Sequence, residues 1–311
     1  TSVLGNAGEI KNTGVEFTIS ADPFTGKEFN WHTDLTLSHN KGTFNKIPTA
    51  NHRQQQAGNY QNQIFQMIEG EKLGSFWGYT FAGIWQEDEV NAPFVDANGQ
   101  TNGKTNGEVY KVKPGNSKYV DINKDGVYND ADQGIIGCGQ PTFNWGWNNT
   151  FNYKNFDISA FFQGVFGNEV YNLTNYLGEF YNQAQYNKNS TILDAWRPDH
   201  TNTDIPRVTL DDPNNNIRPS TYYIHNASFV RLKNLKIGYT LPDRITSKLK
   251  LKRTYIYLQG QNLFTITGYN GIDPEVGLQS YSSENRNLDM GVDRGVYPLP
   301  RTFTLGVNVN F

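Results

Sequence analysis

The chain closes on Arg301-Thr302-Phe303-Thr304-Leu305-Gly306-Val307-Asn308-Val309-Asn310-Phe311, a strict apolar/polar alternation that ends on an aromatic residue. Side chains on a strand point to opposite faces in turn, so Phe303, Leu305, Val307, Val309 and Phe311 share one face. Thr302, Thr304, Gly306, Asn308 and Asn310 share the other. A soluble sandwich can carry such a strand, but one that ends the chain on Phe, with no polar tail behind it, points to the closing strand of a transmembrane barrel. This register predicts Phe303, Leu305, Val307 and Val309 toward lipid, Thr304, Gly306 and Asn308 toward the lumen, and Phe311 near the periplasmic rim.

Composition leans the same way. Aromatic residues make up 14% of the chain, yet the apolar total is only 36% and the mean hydropathy is -0.65. An aliphatic soluble core does not produce that pairing; an outer apolar band with aromatic girdles around a polar lumen does. No apolar run approaches the roughly 18 residues of a spanning helix, which says nothing against a barrel. A net charge of -3 with scattered Lys and Arg leaves no footprint for nucleic acid. The single cysteine, Cys138, flanked by Gly137 and Gly139, has no partner for an internal disulfide and reads as a loop thiol. The opening Thr1-Ser2-Val3-Leu4-Gly5-Asn6 lacks a leader-like pattern and reads as the middle of a longer protein.

Alternation recurs along the chain. Strands are expected over residues 12–21 (Val15, Phe17, Ile19), 27–40 (Phe29, Trp31, Leu35, Leu37), 75–86 (Tyr79, Phe81, Trp85) and 142–153 (Phe143, Trp145, Trp147, Phe151, Tyr153). Others are expected over 156–166 (Phe156, Ile158, Ala160, Phe162, Phe166), 228–240 and 254–264, ahead of the closing strand, with one or two more between Glu108 and Tyr119. The connections alternate in length. Short ones fall at 22–26, 154–155 and 241–252; long ones cover 41–74, 87–141, 167–227 and 265–300. Short periplasmic turns and long external loops are the barrel pattern.

Several stretches together carry a resemblance: Asn12-Thr13-Gly14-Val15-Glu16, Gly83-Ile84-Trp85-Gln86, Tyr119-Val120-Asp121-Ile122-Asn123-Lys124-Asp125-Gly126, Phe229-Val230-Arg231-Leu232-Lys233-Asn234-Leu235-Lys236-Ile237-Gly238-Tyr239, Gln261-Asn262-Leu263-Phe264-Thr265, Gly271-Ile272-Asp273-Pro274-Glu275 and Tyr297-Pro298-Leu299-Pro300-Arg301-Thr302. In this order the chain resembles the C-terminal part of SusC/RagA-type TonB-dependent transporters, the outer-membrane nutrient importers of Bacteroidetes. The resemblance implies an all-β fold, the C-terminal portion of a large antiparallel transmembrane barrel, with residues 1–311 forming a single partial domain. Such barrels have about 22 strands around a plugged lumen. An open sheet would leave unpaired edges in lipid, so the plug, the first strands and the segment that engages TonB are expected outside this chain.

The sharpest local motif is Asp121-Ile122-Asn123-Lys124-Asp125-Gly126-Val127, followed by Asp132. Asp121, Asn123 and Asp125 match positions 1, 3 and 5 of a calcium loop, Gly126 the sharp turn, Val127 a carbonyl donor and Asp132 position 12. Position 12 is Asp in place of the longer bidentate Glu, and no amphipathic helices flank the loop. Two readings stand: an isolated Ca2+ loop, or a hydrogen-bonded Asx turn without metal.

Other constellations carry less. His32, His39, His52, His200 and His225 show no zinc spacing, and Glu87-Asp88-Glu89 reads as a solvated acidic turn more readily than as a glycosidase pair. No enzymatic activity is expected. Tyr171, Asn172, Tyr176, Tyr181, Tyr186 and Trp196 lie in a long loop and are candidates to stack on sugar rings or to grip a peptide backbone. The function implied by the resemblance is TonB-dependent import of oligosaccharides or peptides, with a SusD-like surface lipoprotein as lid and outer-membrane lipid around the wall. The alternatives are an outer-membrane anchor or adhesin, and a secreted calcium-stabilised protein that binds carbohydrate.

Overall fold

A computed structural model describes residues 8–47, 53–56, 63–179, 187–209, 216–277 and 290–310. Its frame is a seven-stranded antiparallel sheet in which every strand pairs with its sequence neighbours in the sheet. We number the wall strands β1 (Glu9–Thr25), β2 (Phe29–Lys46), β3 (Phe143–Tyr153), β4 (Phe156–Phe166), β5 (Phe229–Thr240), β6 (Arg253–Thr267) and β7 (Thr302–Asn310). The spatial order follows the chain order, so the wall is an up-and-down meander.

The register turns the alternation of each strand into two continuous faces. One row across the sheet joins Phe24, Trp31, Phe151, Ile158, Ile237, Leu258 and Leu305. The next row joins Phe29, Tyr153, Phe156, Tyr239, Ile256 and Val307. On the opposite face a polar row joins His32, Thr150, Ser159, Lys236, Gln259 and Thr304. A bulge between Ala21 and Phe24 restores the parity of β1, because the inserted residue brings Phe24 back onto the face of Phe17 and Ile19. The apolar face is uncovered: Val15, Ile266 and Leu305 are 70%, 66% and 74% exposed.

The strands are longer than the alternation alone marks. β1 and β2 run on past the expected ends, and the turn between them shrinks to residues 26–28, closed by the Gly26 N–H donating to the Phe29 carbonyl at 2.9 Å. All three short connections lie at one end of the wall, where Asn310 pairs with Arg253. The long excursions 47–142, 167–228 and 268–301 leave from the other end.

These excursions fold into a body of their own. Small sheets order them: Gln133–Cys138, Ser75–Tyr79, Gln63–Met67 and Arg53–Gln56 form one, while Ile224–Asn226, Glu169–Asn172 and Val292–Asp293 form another. Their shared core joins Ile64, Phe65 and Phe76 from the first excursion, Tyr171, Leu173, Tyr176 and Tyr223 from the second, and Val292 from the third. The expected wall strand over 75–86 is therefore corrected. It breaks at Thr80 into Ser75–Tyr79 and Phe81–Ile84, and both halves belong to the loop body. The physical reason is burial: Phe76 packs against Tyr171 of the second excursion and Tyr79 against Tyr119 farther along the first, instead of lying on an open face. The region 108–119 holds a helical turn, Asn106–Tyr110, and a short strand, Ser117–Tyr119, and adds no strand to the wall.

Because one core serves all three excursions, truncating Phe76 removes contacts from each. Phe76→Ala should cost the loop body about 3–5 kcal/mol. Limited proteolysis should then cleave within 47–142 and 268–301 while the hydrogen-exchange protection of β3 to β6 is retained.

Candidate functional site

The site is the inner side of the wall together with the base of the loop body. Arg231 sits on β5 at an inward position, level with Gln163 and Thr265. Its side chain is 2% exposed and is fully engaged. One guanidinium nitrogen donates to Asp273 Oδ1 at 2.6 Å, another to Glu275 Oε2 at 2.8 Å, and Nε to Thr265 Oγ1 at 2.8 Å. Lys233 Nζ adds 2.9 Å to the same Glu275 oxygen. Asp273 also accepts from the backbone N–H of Glu275 and of Leu299. The Gly271-Ile272-Asp273-Pro274-Glu275 segment is thereby stapled to the wall, and its approach to Leu299 holds the entry to β7.

Burial works against the charged form of Asp273, but the Glu275 N–H and the Arg231 guanidinium more than offset it and hold the carboxyl below the usual carboxylate range. A depressed carboxyl stabilises the fold above its unfolded pKa of about 3.9, and that stabilisation disappears as pH falls through the folded value. Removing one partner of a buried pair strands the other charge at a cost of about 3–5 kcal/mol. Asp273→Asn should therefore raise amide exchange across 271–277 at neutral pH. In the wild-type protein the same segment should stay protected at pH 7 and lose protection only below about pH 4.

Below the staple the inner face forms a polar concavity of ≈ 790 Å³ lined in part by Thr150, Asn152, Ser159, Lys236, Tyr255 and Asn308. Tyr255 and Tyr257 stack at 5.7 Å between ring centroids, with Lys236 Nζ over both rings. Both rings lie flat over glycines of neighbouring strands: a Cβ on Gly238 would meet the Tyr255 hydroxyl at 2.0 Å, and one on Gly306 would meet the Tyr257 ring at 2.2 Å. Tyr255 donates to Asp157 Oδ2 at 2.8 Å. This face offers hydroxyls, amides and two aromatic planes to whatever fills the lumen.

The aspartate-rich motif is an ordered loop closed on its own hydrogen bonds. Asp121 Oδ2 accepts from the Gly126 N–H and the Tyr110 hydroxyl, both at 2.8 Å. Asp132 accepts from the N–H groups of Ile122 and Asn129, and Asp125 Oδ1 from that of Val127. Asp121 Oδ1 is buried and has no hydrogen-bond partner. Among the described residues no three His, Cys, Asp or Glu side chains converge on a metal-sized point.

The loop aromatics are placed otherwise than expected. Tyr171 is 0% exposed and tilts against Phe76 and Tyr223, and Tyr176 packs edge-on to Tyr223. Trp196 is buried and donates to Gln86 Oε1 at 3.1 Å. Tyr171 and Tyr176 belong to the core of the loop body, and all three rings are buried. Asn172, also buried, accepts from the Thr174 hydroxyl and the Asn175 N–H at the start of the helix Leu173–Glu179. Tyr181, Tyr186 and Phe311 lie outside the described residues. Glu87-Asp88-Glu89 opens a short helix, Glu87–Asn91, in which Glu89 bonds back to the Gln86 N–H and pairs with Lys118 at 2.6 Å. Cys138 is half-buried, and burial pushes its thiol up. β7 pairs with β6 along one edge; its other edge, like that of β1, has no partner strand among the described residues.

The Arg231 staple carries no pattern in the sequence that marks it as a site. The available signal was a charged residue interrupting an apolar stretch, Phe229-Val230-Arg231-Leu232, with an Asp-Pro-Glu segment downstream.

No model of a protein family matches the chain. Individual relatives match it from end to end. A TonB-dependent receptor, P3, of Formosa agariphila is 35% identical over 314 residues, covering 100% of this chain and 30% of the relative. The chain is homologous to part of the TonB-dependent receptors. A second receptor of that organism, P26, is 33% identical over 316 residues, and the TonB-dependent receptor SusC of Bacteroides thetaiotaomicron is 26% identical over 98% of the chain. The chain spans about 30% of the length of the curated relatives it matches. Among solved structures, that of the RagAB peptide transporter superposes with a TM-score of 0.73 over 98% of this chain and 29% of the other, at 24% identity. That likeness concerns the fold, and it covers the wall and the loop body together.

Proposed function

We propose that this chain supplies wall and external loops to an outer-membrane importer that takes up oligomeric nutrients with energy delivered through TonB. The observation that carries the reading is the two-faced meander: an uncovered apolar face, a polar inner face, short turns at one end and a packed loop body at the other. A sheet of this kind is stable in lipid once its edges are paired, because every backbone group is then satisfied within the ladder. The kinship with TonB-dependent receptors supports the energy coupling.

The cargo is an oligosaccharide or a peptide, recognised by polar and aromatic groups of the lumen such as Tyr255, Tyr257 and Asn308, without covalent chemistry. A SusD-like lipoprotein covers the loop body and acts as lid, and differential affinity between open and closed states drives capture. In the full-length protein, disruption of TonB should abolish uptake of a labelled oligomer while leaving the barrel in the outer membrane. A protein that stays monodisperse without detergent, or uptake that persists without TonB, would overturn the reading.

Calcium at the Asp121 loop belongs to the same proposal, supported by the buried, partnerless Asp121 Oδ1. With Asn123, Asp125, the Val127 carbonyl and Asp132, it would give a hard cation its oxygens. Chelation should lower the melting temperature of the loop body, and calcium should restore it. An unchanged melt with no bound metal removes calcium from the account.

A further inference from the structure

The three short turns differ in charge. The first carries Lys27 and Glu28 and the second Lys154, and Lys154 pairs with Glu28 at 3.5 Å, so these two largely neutralise each other. The third, residues 241–252, together with the first residue of β6, carries Arg244, Lys248, Lys250, Lys252 and Arg253 against the single acid Asp243. All five basic side chains are exposed, and among the described residues none makes an ion pair. Arg253 lines the inner concavity. The other four stand apart from it.

Lys252 donates its N–H to Asn310 and continues the parity of Ile256 and Leu258, the outward residues of β6. Lys250 holds the left-handed conformation with φ 59°, where glycine or asparagine meets less resistance. The turn also exposes Ile245, at 45%. Directly above it the apolar face ends in the aromatic row Tyr153, Phe156 and Tyr239, with the Phe156 and Tyr239 rings 4.5 Å apart. An amphipathic aromatic row followed by unpaired lysines is the arrangement that meets the ester and phosphate levels of a bilayer leaflet.

We propose that the 241–252 turn is a binding surface for anionic phospholipid headgroups of the leaflet at the short-turn end of the wall, with Arg244, Lys248, Lys250 and Lys252 as its phosphate contacts. This rests on the membrane reading given under Proposed function. Charge complementarity and continuity with the apolar face select lipid over a soluble acidic protein, which would have no use for Ile245 and the ring row beside the lysines.

The test uses the full-length protein inserted into vesicles of phosphatidylcholine doped with spin-labelled phosphatidylglycerol or spin-labelled phosphatidylcholine. Wild type should select phosphatidylglycerol, and the preference should weaken as salt is raised. Each basic side chain near an anionic surface contributes about fivefold to such association. The Lys248→Gln, Lys250→Gln, Lys252→Gln variant should therefore lose on the order of tenfold or more of the preference. The matching Lys→Arg variant should retain it, as should Lys104→Gln in the external loops. Equal association of both lipids, or a triple Gln variant that selects phosphatidylglycerol as wild type does, overturns the inference alone. Failure of the wild-type protein to insert contradicts the membrane reading as well.

Discussion

The structure depends on the backbone hydrogen-bond ladder. A chain with one uncovered apolar face can sit in hydrocarbon only if no peptide group on that face is left without a partner, and a sheet meets that demand by pairing each strand with two neighbours. In the meander β2 to β6 are paired on both sides and β1 and β7 on one, with short turns at one end, and its register aligns apolar residues into rows from Phe24 to Leu305. Bulges are inserted where parity would otherwise fail, as at Ala21 and Phe24. The polar inner face is the other half of the same alternation, so the lumen chemistry and the lipid chemistry are set by one pattern.

The second level of organisation is the loop body, which has the hydrophobic core that the wall lacks. Its central cluster draws side chains from all three excursions, rings from the first two and Val292 from the third. The Arg231 staple ties this body to the wall by placing a buried guanidinium between β5 and the segment before β7. A buried ion pair of this kind contributes little net stability but penalises any detached arrangement, because detachment leaves Arg231 without its carboxylates. That penalty holds the segment from Gly271 to Glu275 against the wall.

The wall was legible in the amino-acid sequence because alternation is a local signal: the strands around Phe17, Trp31, Trp147, Ile158, Leu258 and Leu305 all announce themselves. The same signal misled at residues 75–86, where Tyr79, Phe81 and Trp85 alternate as a wall strand does but pack inside the loop body against Tyr119, Tyr222 and Tyr110. Period-two alternation reports one apolar face and does not say whether lipid or protein covers it. Tyr171, Tyr176 and Trp196 failed as ligand candidates for a related reason, since long loops suggested exposure and the tertiary packing of three distant segments buried them. Arg231 was not legible as a staple, because its partners lie more than forty residues downstream in sequence and only folding brings them together.

The central claim is that one face of the wall meets lipid and the other meets a polar interior. Nitroxide scanning of residues 302–310 in the full-length protein, in vesicles and in a Cys138→Ser background, tests it most directly. A two-residue period is expected, with labels at 303, 305, 307 and 309 relaxed by lipid-soluble oxygen and labels at 304, 306 and 308 by a water-soluble nickel complex. An inverted phase, with Asn308 and Asn310 toward lipid, or the absence of any period would contradict it.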